Sequence, residues 1–118
     1  MGKPIIVIMG ASQGGVYAWK RILPNIDAES RASIIIVQHQ KANHRSSFAS
    51  FLSSYSNLPV LTIEDGMSIV TGYVYIAPAN YHLLFQSDAC FALDVSAHVQ
   101  FSRPSINVSL MSAASVFK

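Results

Sequence analysis

Two residues in this chain of 118 have the types and placement that nucleophilic catalysis needs. Ser12 lies in the turn GASQG at residues 10–14, a G-x-S-x-G pattern that directly follows an apolar segment. Such a turn between a strand and a helix exposes a serine hydroxyl at the carboxyl edge of a sheet, where backbone N–H groups can stabilise an oxyanion. Serine before a helix is also an ordinary N-cap, so the pattern indicates a nucleophile only if a base lies close to the serine.

His39 supplies such a base. It directly follows residues 33–38, an apolar run that predicts the second strand of a sheet. Adjacent parallel strands lie about 4.8 Å apart and end at one edge, so Ser12 and His39 are predicted neighbours. Imidazole can accept the serine proton at neutral pH because its pKa is near ~6.5. The remaining histidines lack this placement and are interpreted as structural or solvated: His44, His82 and His98.

The glycine-rich turn has a second interpretation as the phosphate loop of a dinucleotide-binding domain. The spacing G-x-G-x-x-G is absent, and Gln38-His39 stands where such domains carry an acidic residue. The nucleophile interpretation is therefore favoured, and no cofactor is predicted. No metal site is predicted either, because His39, His44 and Cys90 have no partners at ligand spacing.

Hydrophobic periodicity predicts the elements that would position these residues. Runs rich in apolar residues predict strands at 5–9, 33–38, 59–63 and 73–77, and the first two have the pattern of strands buried on both faces of a parallel sheet. Residues 83–85 and 91–95 predict an antiparallel hairpin. Apolar stripes at helical spacing predict helices over three sets of residues: Trp19, Ile22, Leu23 and Ile26; Phe48, Phe51, Leu52 and Tyr55; Ile106, Leu110, Ala113 and Phe117.

The order of these elements predicts an α/β fold. Strand and helix alternate through the first three strands, which favours a doubly wound, mainly parallel sheet of the Rossmann-like three-layer type. The hairpin adds a small antiparallel part. We expect one domain over residues 1–118, since cores of this kind usually hold roughly 100–200 residues.

Composition excludes several classes of protein. Charged residues make up 12% of the chain and hydrophobic residues 51%, which excludes disorder. The formal net charge is +2 and no basic run concentrates it, so no nucleic-acid partner is predicted. No segment approaches the ~18 apolar residues of a membrane span, so no membrane insertion is expected. A single cysteine, Cys90, is interpreted as a buried packing residue and favours a reducing, cytoplasmic location.

Six sequence blocks follow one another in order: VIMGASQGG at 7–15, IVQH at 36–39, EDG at 64–66, YVYIAP at 73–78, HLL at 82–84 and RPSIN at 103–107. In order and spacing they resemble the catalytic domain of the CheB protein-glutamate methylesterases of bacterial chemotaxis. The resemblance implies hydrolysis of glutamate γ-methyl esters on cytoplasmic helices of methylated chemoreceptors, giving glutamate and methanol. It also implies glutamine deamidation as a related activity in some members.

The resemblance implies roles for individual residues. Ser12 would be the nucleophile and His39 its base, with the backbone around Gln13 in the oxyanion site and Arg103 on the active-site side. Gln13 replaces a threonine that is common in the family after the nucleophile. A non-catalytic module that keeps this fold and binds receptors is the alternative function.

The family's third catalytic residue, an aspartate in a G-M-G-x-D-G motif, has no counterpart in this sequence. The expectation is a methylesterase-like domain that lacks the C-terminal segment with that aspartate and lacks an N-terminal receiver domain. A histidine without its orienting carboxylate loses about 10⁴-fold in turnover in serine proteases. An open edge beside the first strand would favour self-association. The aspartates present are interpreted as turn, helix-end or solvent-facing residues: Asp27, Asp65, Asp88 and Asp94.

Overall fold

Four parallel strands form the centre of the structure, a computed structural model that describes residues 5–11, 15–38, 47–79, 81–86, 90–94 and 106–116. The sheet order is β1-β2-β4-β3. Its strands are β1 (Ile5–Ala11), β2 (Ala32–Gln38), β3 (Val60–Thr62) and β4 (Val74–Ile76). The predicted strands are therefore present, and β1 and β2 are adjacent as expected.

The second strand shows why continuous apolar runs occur in this sheet. Side chains alternate between the two faces of a strand, so a strand covered on both faces needs apolar residues at every position. Ile34 and Ile36 pack on one side with Trp19, Leu23 and Leu52. The opposite side of the sheet carries a second core cluster, formed mainly by Ile35, Val37, Tyr75, Leu83, Phe85 and Phe91.

Helices and a hairpin cover these two faces. On the first face lie α1 (Gly15–Ile22), a turn of 3₁₀ helix (Leu23–Asn25) and α2 (Ser47–Ser53). On the second lie α3 (Ile106–Val116) and the antiparallel pair β5 (His82–Gln86) and β6 (Cys90–Asp94). The predicted three-layer α/β architecture with a small hairpin is confirmed.

Three residues expected on the buried helix faces are exposed. Ile22 is 39% exposed, Phe51 36% and Leu110 44%. Ile22 ends α1, because the chain tightens into the 3₁₀ turn that contains Pro24, whose nitrogen cannot donate a helical hydrogen bond. Tyr55 lies in the turn after α2 rather than in the helix.

In α3 the predicted stripe is confirmed at one residue and wrong at another. Ala113 is buried as predicted, but Ser109 is buried in place of Leu110. The reason is hydrogen bonding: Ser109 Oγ donates to the carbonyl oxygen of Leu83 at 2.8 Å, and the Phe85 N–H donates to Ser112 Oγ at 2.8 Å. Serine hydroxyls thus dock α3 on the backbone of β5.

The first strand lies at an edge of the described sheet. Among the residues that the structure describes it pairs with β2 alone, and its Ile5 and Val7 side chains are 60% and 38% exposed. Cys90 was expected to be buried but is half-buried, at the first position of β6. His82 is buried in β5, which agrees with a structural role.

Candidate active site

The carboxyl ends of β1 and β2 lie side by side. In their parallel register Gly10 is opposite Val37, and Ala11 is opposite Gln38. Ser12 and His39 are the next residues along the chain after these two strands. The structure thus brings together the strand ends from which the predicted nucleophile and base continue.

The predicted site residues themselves fall in the gaps between the described segments. Ser12, Gln13, His39 and Arg103 all lie outside the described residues. The distance between the Ser12 hydroxyl and the His39 ring, the oxyanion role of Gln13 and the placement of Arg103 therefore stay predictions. Asp88, His44 and His98 also lie outside the described residues.

A buried polar contact fixes the last residue of β2. The Gln38 side chain is 3% exposed and faces α1, where the indole N–H of Trp19 donates to its Oε1. Leaving a buried acceptor without a donor costs about 1–3 kcal/mol, so this bond stabilises the amide in its buried position. It ties α1 to the residue that precedes His39.

Sequence reasoning missed this contact because Trp19 and Gln38 are separated by 19 positions along the chain. One signal was available. A glutamine that ends an apolar strand is buried if the strand is buried to its end, and a buried amide needs a hydrogen-bond partner. The identity of that partner depends on how α1 packs, which periodicity alone does not define.

The described aspartates are engaged in turns or in the hairpin. Asp65 Oδ1 accepts a hydrogen bond from the Leu93 N–H at 2.9 Å, beside Gly66 with its positive φ of 80°. Asp65 follows β3, and β4 lies between β3 and β2 in the sheet. This position agrees with the predicted turn and sets the carboxylate away from the ends of β1 and β2.

Asp27 and Asp94 lie in two other parts of the fold. Asp27 Oδ1 accepts from the Glu29 N–H at 2.9 Å in the connection that leads into the amino end of β2. Asp94 was expected on a solvent-facing strand surface, but it is half-buried in β6 at the position paired with His82. Phe91 and Leu93 of β6 face the second core cluster, so Asp94 lies on the opposite face of the strand, as expected, although it is less exposed than a solvent-facing residue.

The clearest electrostatic perturbation among the described groups lies away from the strand ends. Burial raises the pKa of Tyr75, an effect partly opposed by its hydrogen bond with the backbone of Val70. The Tyr75 hydroxyl accepts from the Val70 N–H at 2.7 Å and lies 3.4 Å from the Ser68 carbonyl oxygen. This tyrosine supports the loop between β3 and β4.

Comparison with known proteins identifies the family. Residues 7–118 match the family described as CheB methylesterase. The chain belongs to this family.

Within the described residues, no three or more histidine, cysteine, aspartate or glutamate side chains gather as a metal site. Nor does any described helix combine the length and apolar character needed to cross a membrane.

Curated relatives and a solved structure agree with this assignment. The chain is 37% identical over 112 residues to a putative protein-glutamate methylesterase/protein-glutamine glutaminase of Leptospira interrogans, covering 95% of the chain and 58% of the relative. It is 36% identical over 116 residues to the corresponding protein of Thermotoga maritima, covering 96% of the chain and 34% of the relative. The crystal structure of the Thermotoga maritima CheB methylesterase catalytic domain superposes with a TM-score of 0.92 and 35% identity, covering 99% of the chain and 64% of that structure.

These values confirm the family and the fold that the six sequence blocks implied. The chain spans less than two thirds of each of these proteins. Hydrolysis of methyl esters by this CheB chain, its substrate and its partners are therefore matters for the proposal that follows.

Proposed function

We propose that this CheB chain is a serine esterase that hydrolyses glutamate γ-methyl esters on chemoreceptor helices, with glutamine deamidation as a second reaction of the same site. The observation that carries the proposal is the register of β1 and β2, in which Ala11 and Gln38 are paired. Ser12 and His39 continue the chain from these two paired positions. Membership of the CheB methylesterase family supports the reaction class.

The proposed reaction has two halves. His39 accepts the Ser12 hydroxyl proton while Ser12 Oγ attacks the ester carbonyl, and backbone N–H groups near Gln13 stabilise the oxyanion. The C–O bond to the methoxy group breaks, and methanol leaves with the proton from His39. Water, deprotonated by His39, then attacks the acyl-serine carbonyl; the bond to Ser12 Oγ breaks, His39 returns the proton to that oxygen, and the γ-carboxyl product ionises to a carboxylate. With a glutamine substrate the first leaving group is ammonia.

The buried Trp19–Gln38 contact supports this assignment of the base. The contact holds the end of β2 against α1, and Gln38 is the residue from which His39 continues, so it supports a position for His39 beside the end of β1. We place Arg103 on the active-site side and the reaction in the cytoplasm, without a cofactor or metal. We also propose that residues 1–118 act as one domain of this type.

Methanol release from an isolated receptor fragment tests the proposal. The fragment carries isotopically labelled methyl groups on its glutamates, and volatile label is collected over time. We expect release by the wild-type chain, loss with Ser12→Ala, and a decrease of about 10²-fold with His39→Gln, since triad residues act as a unit and no aspartate is assigned to orient this histidine. Ser115→Ala, on the exposed side of α3, is the matched control and should leave release unchanged. Binding of the fragment with only background release would instead support the non-catalytic receptor-binding module.

A further inference from the structure

A basic and aromatic groove lies between α1 and the turn after α2. It has a volume of about 650 Å³ and is lined by Tyr17, Ala18, Lys20, Arg21 and Tyr55. We call it the α1–α2 groove. Among the described residues its lining includes two cationic side chains and two tyrosines but no aspartate or glutamate, so its charge is complementary to that of a carboxylate-bearing ligand.

The lysine of this groove is held in place. Lys20 Nζ lies 5.3 Å from the centre of the Tyr55 ring and 5.8 Å from that of the Tyr17 ring. Both distances fall within the ~6 Å range of a cation–π interaction. A surface lysine normally loses much side-chain freedom on binding, and an ammonium already restrained between two rings loses less. The groove therefore presents a preorganised positive charge.

The surroundings of the groove have the composition of a protein-binding surface. Tyr17 is 76% exposed, and Phe51, itself 36% exposed, packs against Tyr55 with ring centres 5.3 Å apart. Tyrosine and arginine are enriched among residues that contribute most to protein–protein affinity. An exposed aromatic surface around Lys20 and Arg21 fits a partner that combines apolar contacts with carboxylates.

The groove is also near the proposed reaction site along the chain. α1 begins at Gly15, shortly after Ser12, and Lys20 is about 7.5 Å further along its axis at the rise of an α-helix. α1 runs from the carboxyl edge of the sheet towards its amino edge, so a protein segment whose side-chain ester lies over the end of β1 must extend along α1 to reach the groove. A small ester would not reach this far.

We propose that the α1–α2 groove binds the carboxylate-bearing flank of the methyl-esterified protein substrate. The inference rests on the proposed function, and it adds a substrate preference: esters flanked by glutamate or aspartate are bound better than esters flanked by neutral residues. Binding energy from residues remote from the reacting bond then contributes to the recognition of protein substrates.

Fluorescence anisotropy tests binding separately from catalysis. The probe is a fluorescein-labelled helical peptide of alanine and glutamate, compared with the same peptide carrying glutamine in place of glutamate. We expect the wild-type chain to prefer the glutamate peptide, and Lys20→Gln/Arg21→Gln to weaken that binding by about five- to tenfold at low ionic strength. Arg21→Gln alone, at an exposed residue, guards against misfolding of the double variant and should show a smaller loss of the same sign.

Arg31→Gln is the matched control, because Arg31 is also an exposed arginine but does not line the α1–α2 groove. It should change the Kd by less than about twofold. Equal effects of Arg21→Gln and Arg31→Gln, or no preference for the glutamate peptide, would overturn the proposal. Tighter binding of a labelled single-stranded oligonucleotide than of the glutamate peptide would also overturn it.

Steady-state kinetics connects the groove with the reaction. With the receptor fragment, the double variant should raise KM by a similar factor and leave kcat unchanged, while hydrolysis of a small aryl ester stays at the wild-type rate. An unchanged KM would contradict substrate docking here. Failure of the wild-type chain to hydrolyse either ester would disprove the proposed function, and the anisotropy measurement would still decide whether the groove binds carboxylate-bearing peptides.

Discussion

Trp19 and Gln38 form a buried polar pair at the end of β2, beside the proposed base. Both side chains are 3% exposed, so water has little access to the indole N–H and the amide oxygen that form the hydrogen bond. Replacing Trp19 by phenylalanine removes the donor and leaves the buried acceptor. We expect Trp19→Phe to lower the free energy of unfolding by about 1–3 kcal/mol in urea denaturation.

Tyr17→Phe is the control for this prediction, since Tyr17 is on the same helix and 76% exposed. Its unfolding free energy should stay within about 0.5 kcal/mol of wild type. Equal stability of the Trp19 and Tyr17 variants would show that the buried bond contributes nothing measurable.

Tyr75 gives a second prediction at the residue scale. Its hydroxyl accepts from the Val70 N–H at 2.7 Å, and we expect Tyr75→Phe to lower the free energy of unfolding by about 1–2 kcal/mol at neutral pH. Burial also raises the pKa of Tyr75 above that of the unfolded chain. As the pH rises, the unfolded chain therefore loses the phenol proton before the folded chain does. The contribution of protonated Tyr75 to the free energy of unfolding is fully present below about pH 10 and is lost as the pH rises through the folded pKa.

The measurement is urea denaturation at neutral pH and at a series of alkaline pH values. Tyr75→Phe should be less stable at neutral pH and should show a shallower decrease of stability at alkaline pH than the wild type. Tyr81→Phe, at a side chain that is 39% exposed, controls for the removal of any tyrosine. Parallel alkaline curves for wild type and Tyr75→Phe would contradict the proposed role of burial.

At the scale of the elements, α3 docks through serine hydroxyls rather than through a leucine-rich face. Ser109 is fully buried and donates to the Leu83 carbonyl oxygen at 2.8 Å. We expect Ser109→Ala to destabilise the fold by about 1 kcal/mol, since a buried carbonyl loses a donor. Ser115→Ala, at an exposed position of α3, should be neutral or slightly stabilising because alanine favours helix. Thermal or urea unfolding of the two variants checks the difference, and a Ser115 effect as large as that of Ser109 would contradict it.

The elements show what hydrophobic periodicity can predict here. Strand β2 was predicted almost to its ends, because a strand covered on both faces must be apolar at nearly every position. For the buried face of α3, the prediction is right at Ala113 and wrong at Leu110. Leu110 is 44% exposed and Ser109 is buried, since the hydrogen-bonding groups of β5 decide which side of the helix docks. Such a contact between distant segments leaves no periodic signal in the sequence.

At the scale of the whole molecule, β1 exposes apolar side chains along an edge that has one strand partner among the described residues. The segment Ile5–Ala11 contains no charge and no proline, which are common means of protecting an edge. We expect the purified chain to self-associate through this strand, and Ile5→Lys, at a side chain that is 60% exposed, to decrease that association.

Sedimentation velocity over a concentration series checks this expectation. Val70→Lys makes the same kind of change at a 50% exposed residue outside the named strands, and it should leave the association unchanged. A monomeric wild-type chain at every concentration would contradict the prediction, as would equal effects of the two lysine variants.

The arrangement of the whole sheet also shows how much of the candidate site could be predicted. The adjacency of β1 and β2 follows from general rules for α/β sheets, and the pairing of Ala11 with Gln38 confirms it. The Trp19–Gln38 bond and the α1–α2 groove were not predicted, because each depends on side chains from elements that only tertiary packing brings together. The roles of Ser12 and His39 stay predictions.

Labelling with a fluorophosphonate, followed by peptide mass spectrometry, tests the central claim most directly. A serine activated by a neutral histidine should form one covalent adduct, on Ser12, at a rate that rises as the pH increases through about 6.5. The adduct should be absent from Ser12→Ala and form much more slowly in His39→Gln. Equal labelling of wild type and Ser12→Ala, or an adduct on another residue of the wild-type chain, would contradict the assignment of Ser12 as the nucleophile.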